Sequence, residues 1–184
     1  MSNLGKWNPW YSHLPPDVES RSYGVSDSYR IGAEWLADCE QIEDWGCGLG
    51  YLRRFVSKER YVGIDGTQSP FSDLVLDLAI HRTLLVPGIF MRGVIEHDWR
   101  WKDILDNALR SFTKKFCLVL FTPMSTGATK EIAYNQEIGV PDISFSHLDI
   151  LERVSQFPEV YGDYTDISSE TAYGHERIFY FWRK

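Results

Sequence analysis

The sequence predicts an α/β domain with a mainly parallel sheet, and three observations carry that expectation. Strand-like and helix-like segments alternate from about residue 26 onward. Phe116-Cys117-Leu118-Val119-Leu120-Phe121 is an unbroken apolar run, as a strand buried on both faces requires. At the first strand-to-helix junction, Asp44-Trp45-Gly46-Cys47-Gly48-Leu49-Gly50 sets glycines at alternate positions, where backbone must turn sharply or approach a ligand.

Taken in order, residues 1–25 form an aromatic, proline-punctuated arm with Trp7, Pro9, Trp10, Tyr11, Pro15, Pro16 and Tyr23. So many large rings predict a segment that packs onto something rather than a loose tail. Ser26 reads as a helix cap, and Tyr29, Ala33 and Leu36 share one face of a helix ending near Asp38. Residues 41–45 form a short strand, and a helix bearing Leu49, Leu52 and Val56 is expected after the glycines. Residues 61–64 make a second strand closed by Asp65-Gly66, residues 74–76 a third ending at Asp77, and residues 88–91 a fourth. Trp101, Ile104, Leu105, Ala108 and Phe112 line a helix of about four turns. Beyond the apolar run, residues 122–145 lack a clear pattern; so long a stretch predicts a functional cover or a short helix. Ser146 to Asp149 resembles a capping box with Phe145 and Ile150 as its hydrophobic staple, opening a helix with Leu148, Leu151 and Val154. Residues 160–167 and 177–182 read as a terminal hairpin. One domain is thus expected over residues 26–184.

Composition narrows the function. At 184 residues and 43% hydrophobic, the chain suits one well-buried domain, and 15% aromatic content excludes a disordered segment. Nineteen Lys+Arg against 26 Asp+Glu, a net charge of −7, argues against a protein whose task is gripping nucleic acid. No apolar run nears the ~20 residues that span a bilayer, and the first residues lack the apolar core of a signal peptide. Cys39, Cys47 and Cys117 show no CxxC spacing, so neither a disulfide framework nor a zinc site is expected, and a cytoplasmic location is.

The glycine turn admits two readings. Dinucleotide-binding domains use G-x-G-x-x-G, but here Tyr51 stands at the third glycine's place and Asp44 stands two residues before the first. A carboxylate so close suits a cation, such as the ammonium of an amino-acid moiety, better than a pyrophosphate. Asp65 ends the second strand, where a carboxylate can accept from both hydroxyls of a ribose. Asp77 ends the third, where it can accept from an adenine amine. Ammonium, ribose diol and adenine amine together describe S-adenosylmethionine.

On these residues the chain resembles the class I S-adenosylmethionine-dependent methyltransferase family from about Ser26 to Lys184. The family's first motif corresponds to Glu43 through Gly50, its ribose acid to Asp65 in Tyr61-Val62-Gly63-Ile64-Asp65-Gly66, and its adenine-side acid to Asp77, with Leu78 as the next backbone donor. Its fourth strand and turn resemble Phe90 through His97; the acid often found near that strand's start is missing from Gly88-Ile89-Phe90. The resemblance implies a Rossmann-like fold: a seven-stranded, mostly parallel sheet with an antiparallel C-terminal strand. It also implies a cofactor site at Asp44, Gly46, Cys47, Gly48, Asp65, Gly66, Asp77 and Leu78, with S-adenosylhomocysteine as product and no metal. Arg92 would contact the cofactor or pair with a nearby acid, and Tyr23 would close over the methionine end or pack within the arm.

His97 is the candidate catalytic residue, since a hydroxyl acceptor must lose a proton and an imidazole can take it. Capping the next helix or contacting Asp98 is the structural alternative, and Glu96 would be its partner or a rival base. No Asn/Asp-Pro-Pro-Tyr/Phe follows the fourth strand, no Pro-Cys pair is present, and the lysines of a ribose 2′-O methyltransferase are missing at the matching places. A small hydroxylated acceptor, a sugar unit or metabolite, is therefore expected between the aromatic arm and residues 122–145. Two alternatives stay open: a non-catalytic S-adenosylmethionine-binding partner or regulatory domain, and an RNA methyltransferase. A protein partner or a homo-oligomer also stays open.

Overall fold

The structure, a computed structural model, describes residues 2–12, 26–81 and 85–184. Within them a short helix α1 (Asn8–Ser12) precedes α2 (Ser28–Trp35), followed by β1 (Ile42–Trp45), β2 (Tyr61–Asp65), β3 (Leu74–Val75) and β4 (Val86–Arg92). Then come α3 (Trp101–Ser111), β5 (Phe112–Leu120), β6 (Lys130–Asn135), β7 (Val140–Ser144), α4 (His147–Val154), β8 (Val160–Ser168) and β9 (His175–Arg183). A seven-stranded sheet runs in the order β3-β2-β1-β4-β5-β9-β8, and β6 and β7 pair separately as an antiparallel hairpin. The β1–β2, β1–β4, β2–β3 and β4–β5 pairs are parallel; β9 runs antiparallel to both of its neighbours.

The apolar run of β5 is unbroken because both of its faces are covered. Phe116, Leu118 and Leu120 join a core under α3 and α4, while Cys117 and Val119 join a second core under α2. The same alternation places Ile89 and Met91 of β4 in the first core and Phe90 in the second. Helix α2 lies close on the sheet because Gly32 has no side chain. A Cβ there would stand 2.3 Å from Phe90 Cε2 and 3.3 Å from Cys117 Sγ.

Five local expectations are corrected. The helix expected to carry Leu49, Leu52 and Val56 is one 3-10 turn, Tyr51–Arg54. The connection from β1 to β2 is short and its first part is spent on the glycine loop. Residues 122–145 hold the β6–β7 hairpin rather than a helix. Ser26 lies just outside α2: its Oγ accepts from the Ser28 amide at 3.1 Å and donates to Glu176, while Asp27 is the N-cap. Ser146 does start α4, yet no side-chain capping bond forms, and the Asp149 carboxylate instead accepts from the amide and hydroxyl of Thr129. The helix α3 is also shorter than expected, at 11 residues.

Residues 2–12 lie across the carboxyl edge of the sheet. The Gly5 amide donates to the Gly66 carbonyl at 2.7 Å, the Trp7 amide to Thr67 Oγ1 at 3.3 Å, and Lys6 Nζ to the Gly139 carbonyl at 3.0 Å. Substituting Gly32→Ala should destabilise the fold by about 1–3 kcal/mol, because the fully buried Phe90 ring must move. Urea unfolding of the variant checks this; an unchanged midpoint would show that α2 shifts without cost.

Candidate functional site

A cavity of about 300 Å³ opens where β1 and β4, neighbours in space, feed connections that diverge to opposite sides. Crevices outside the carboxyl ends of parallel strands at such a reversal are where α/β sheets bind ligands. Gly46, Cys47 and Gly48 form one wall, Asp65 and Gly66 the next, and Leu76, Asp77 and Leu78 a third. Arg92, Gly93, Val94 and His97 come from the end of β4 and its following turn, Phe121 from the end of β5, and Thr171 and Ala172 from the β8–β9 turn. Asn3, Trp7, Trp10 and Tyr11 close it from the N-terminal segment.

The glycine loop is built for close approach. Gly46, Gly48 and Gly50 all hold positive φ, at 76°, 52° and 66°, conformations costly for other residues. A Cβ at Gly46 would stand 2.2 Å from Val94 Cγ2. The loop is anchored to β2, since the Gly46 and Cys47 amides donate to the Ile64 carbonyl at 2.7 and 3.0 Å. Asp65 locks it further: its carboxylate accepts from the Gly48 amide at 2.9 Å and the Thr67 amide at 2.8 Å. Burial raises the Asp65 pKa, and the bonds from Gly48, Thr67 and Gly66 oppose that only in part. Each carboxylate oxygen retains acceptor capacity beyond these bonds.

Asp44 is not among the residues lining the cavity. It is 2% exposed, and its Oδ2 accepts from the Tyr61 hydroxyl at 2.9 Å. Burial pushes its pKa up to about 7, with the Tyr61 bond opposing, Asp65 adding and Arg92 opposing. The Asp44 carboxyl therefore sits behind the glycine loop rather than on the cavity wall. Asp77 does line the cavity but is already engaged. Its Oδ2 accepts from Arg100 at 2.9 Å and Ser2 Oγ at 2.7 Å, and its Oδ1 from the Ala79 amide at 3.1 Å. Burial would raise its pKa, yet the bonds from Arg100, Ser2 and Ala79 outweigh that and hold it below the usual range. Leu78 lines the cavity, and its carbonyl accepts from Asn107 at 3.0 Å.

Arg92 lines the cavity and pairs with an acid. It is 9% exposed and paired with the fully buried Glu176, its Nε donating to Glu176 Oε1 at 2.9 Å, with the guanidinium 4.8 Å over the Tyr29 ring. Cys47 lines the loop as a thiol that burial keeps protonated, and Cys117 is core. Tyr23 lies outside the described residues.

His97 sits in the 3-10 turn Ile95–His97 and lines the cavity. Its Nδ1 is 3.0 Å from the Pro141 carbonyl and 3.2 Å from Asp142 Oδ1. Both partners accept, so Nδ1 carries the proton, and Nε2 is the lone-pair nitrogen of the neutral ring. Burial acts to lower the His97 pKa, but the bond to Asp142, then Glu96, then the Pro141 carbonyl outweigh it, and the pKa stands above 6.5. The Tyr173 hydroxyl holds Asp142 Oδ2 at 2.8 Å. Glu96 stays apart: its Oε1 accepts from the Phe121 amide at 2.9 Å, Oε2 is buried without a hydrogen bond, and burial pushes the pKa up to about 7. Asp142, Tyr173, Arg100 and Glu176 carried no local signal of these roles; each acts through a partner more than 20 residues away in sequence.

With this geometry in place, solved structures supply the comparison. The chain resembles 1,6-didemethyltoxoflavin-N1-methyltransferase of Burkholderia thailandensis, bound to 1,6-didemethyltoxoflavin and S-adenosylhomocysteine, at TM-score 0.72 and 12% identity over 97% of this chain and 85% of that one. Magnesium protoporphyrin IX methyltransferase of Synechocystis PCC 6803 with bound S-adenosylmethionine matches at 0.64 and 13% over 98% of each chain. The N-methyltransferase NodS of Bradyrhizobium japonicum WM9 matches at 0.62 and 12% over 97% and 98%. The chain has the class I S-adenosylmethionine-dependent methyltransferase fold. No protein-family model and no curated protein matches the sequence. Among the described residues, no helix of this methyltransferase fold is long and apolar enough to cross a membrane, and no His, Cys, Asp and Glu cluster could hold a metal ion.

One consequence of the site is electrostatic. Asp44 has a folded pKa of about 7 against 3.8, so its protonated form stabilises the fold below about pH 4, and that contribution is lost as pH rises through about 7. Asp44→Asn should therefore raise stability at pH 8 by about 1–3 kcal/mol relative to the parent chain and change it little at pH 4. Urea unfolding at both pH values checks this; equal effects at the two would contradict it.

Proposed function

We propose that this chain is an S-adenosylmethionine-dependent methyltransferase acting on the oxygen of a small hydroxylated acceptor. The observation that carries the reading is the Asp65 carboxylate, fixed by the Gly48 and Thr67 amides on the wall of a cavity at the sheet's reversal point. The residues present fit the cofactor. Glycines at 46 and 48 with positive φ let backbone approach it, Asp65 keeps lone pairs for the ribose hydroxyls, and Leu78 lies on the adenine side. Asp77 shapes that side through Arg100 and Ser2 rather than by a vacant carboxylate. The buried Asp44 adds negative potential suited to a cationic ligand.

S-adenosylmethionine supplies an activated methyl group on a sulfonium. Transfer forms a carbon–oxygen bond, breaks a carbon–sulfur bond with its pair returning to sulfur, and leaves a proton on the acceptor oxygen to be removed. His97 is the residue placed to take it, with Asp142 and the Pro141 carbonyl fixing the tautomer in which Nε2 is basic. The enzyme's larger share is positioning, for which the N-terminal segment across the cavity and its half-buried aromatic wall are suited.

Calorimetry should detect binding of S-adenosylmethionine and of S-adenosylhomocysteine, with Asp65→Ala weakening both by about 10- to 100-fold. Binding of NAD together with no binding of either would overturn the reading. The His97 imidazole, titrated by NMR, should have a pKa above 6.5, and Asp142→Asn should lower it by about one pH unit or more. The pH at which activity rises on its acid limb should fall in parallel, because less alkali is then needed to deprotonate Nε2. An unmoved imidazole titration would remove Asp142 from this role.

A further inference from the structure

We infer that the acceptor is an uncharged, planar aromatic or heteroaromatic molecule whose reacting group is a ring hydroxyl, seated against Trp7, Phe121 and His97. The inference deepens the methyl-transfer reading and rests on it.

Three rings converge on one part of the cavity. The His97 ring has Trp7 at 5.2 Å, steeply inclined at 67°, and Phe121 at 5.4 Å and 41°. Trp10 meets Trp7 edge-on at 6.0 Å, and Trp10 also lines the cavity, so the wall continues as aromatic surface. Offset and edge-on rings of this kind present flat, apolar faces, and a planar ligand buries the most area against them.

Charge matching narrows the class further. Arg92 is neutralised by Glu176, and Arg100 bridges Asp77 at 2.9 Å and Asp98 at 2.8 Å. An anionic acceptor would therefore have to compete with internal carboxylates for each of these cations. Polar side chains on this wall are likewise engaged, Asn3 Nδ2 by Asp98 at 2.5 Å and Thr171 Oγ1 by Ser169 at 2.7 Å. A sugar carries several hydroxyls, each of which would have to find a partner among the few N–H and O–H groups of this ring-lined wall, and any left unpaired in the cavity oppose binding. A flat ring with one reacting hydroxyl avoids that. A ring hydroxyl, with a pKa near 10 as in tyrosine, also lies far closer to imidazole than an aliphatic alcohol does, which favours proton transfer to His97.

The test is calorimetry on the full chain saturated with S-adenosylhomocysteine, at pH 7, with catechol, 7-hydroxycoumarin, D-glucose and benzoate as probes. At least one of the two hydroxyarenes should bind saturably; glucose and benzoate should not. Trp7→Ala should weaken hydroxyarene binding at least tenfold, whereas Trp7→Phe, which keeps a ring face, should retain most of it. Binding of glucose or benzoate in preference to both hydroxyarenes overturns the inference, as does an affinity that Trp7→Ala leaves unchanged. A chain that binds S-adenosylhomocysteine but neither hydroxyarene overturns it as well. Failure to bind S-adenosylhomocysteine at all instead strikes the methyltransferase reading beneath it.

Discussion

The ion pair between Arg92 and Glu176 governs how the carboxyl edge of this sheet is assembled. Register places both side chains on the face covered by α2: Arg92 pairs with Val119, Val119 with Ile178, and Glu176 follows two residues before Ile178. Two charges at 9% and 0% exposure carry a large desolvation penalty, offset by close pairing and by further hydrogen bonds to both partners. Both are present. Glu176 Oε1 accepts from two guanidinium nitrogens and Oε2 from Ser26, while Arg92 also reaches the Ser28 and Tyr29 hydroxyls at 3.2 and 3.3 Å. Residues of β4, β9 and the start of α2 are thereby fixed to one another, and Tyr29 is set on the cavity wall. Burial pushes the Tyr29 pKa up to about 12 despite Arg92, so it remains a neutral ring there.

A second constraint is the spareness of the connections. The glycine loop leads into a single 3-10 turn, and β3 is only two residues long, so few helices shield the cavity from above. Residues 2–12 take over that task. They are held largely by backbone and small polar contacts: Gly5 to Gly66, Trp7 to Thr67, Ser2 to Asp77, and Asn3 to Asp98. The β6–β7 hairpin completes the enclosure by presenting Asp142 and the Pro141 carbonyl to His97 and the Gly139 carbonyl to Lys6. Thus the same inserted hairpin that covers the site also sets the tautomer of its imidazole.

What the sequence made legible follows from range. The glycine loop, the strand ending at Asp65, the buried run of β5 and the terminal hairpin are local patterns, and the sheet repeats them faithfully. The positions of Gly46, Gly48, Asp65, Leu78 and His97 on one cavity follow from strand ends alone. The partners of those residues do not. Whether Asp77 is vacant or held depends on Arg100, and whether Arg92 is available depends on Glu176, 84 residues away. Asp142 sits in a stretch whose only signal was the lack of one, because β6 is fully exposed and β7, though mostly buried, is five residues long and carries a proline and an aspartate among its apolar residues. Helix length after the glycine loop failed for a related reason: Leu49 and Leu52 are buried at helical spacing, but the chain must reach β2 before a second turn can form.

The acidic surplus acquires a physical meaning at the site. Asp44 and Asp65 are both buried, and burial raises both pKa values, so holding them ionised costs free energy without a cation nearby. Asp77 and Asp98 differ in that the single Arg100 guanidinium is shared between them, leaving one negative charge of the two unmatched. Unmatched negative potential therefore runs from the glycine loop and the end of β2 to the Asp77 and Asp98 side of the cavity. In the proposed reaction a sulfonium cation gives way to a neutral thioether. A field placed there favours the cationic reactant over the product, which promotes exchange after turnover. Under the proposed reading that field would act on the cofactor, while the acceptor would be held by ring contact with Trp7, Phe121 and His97.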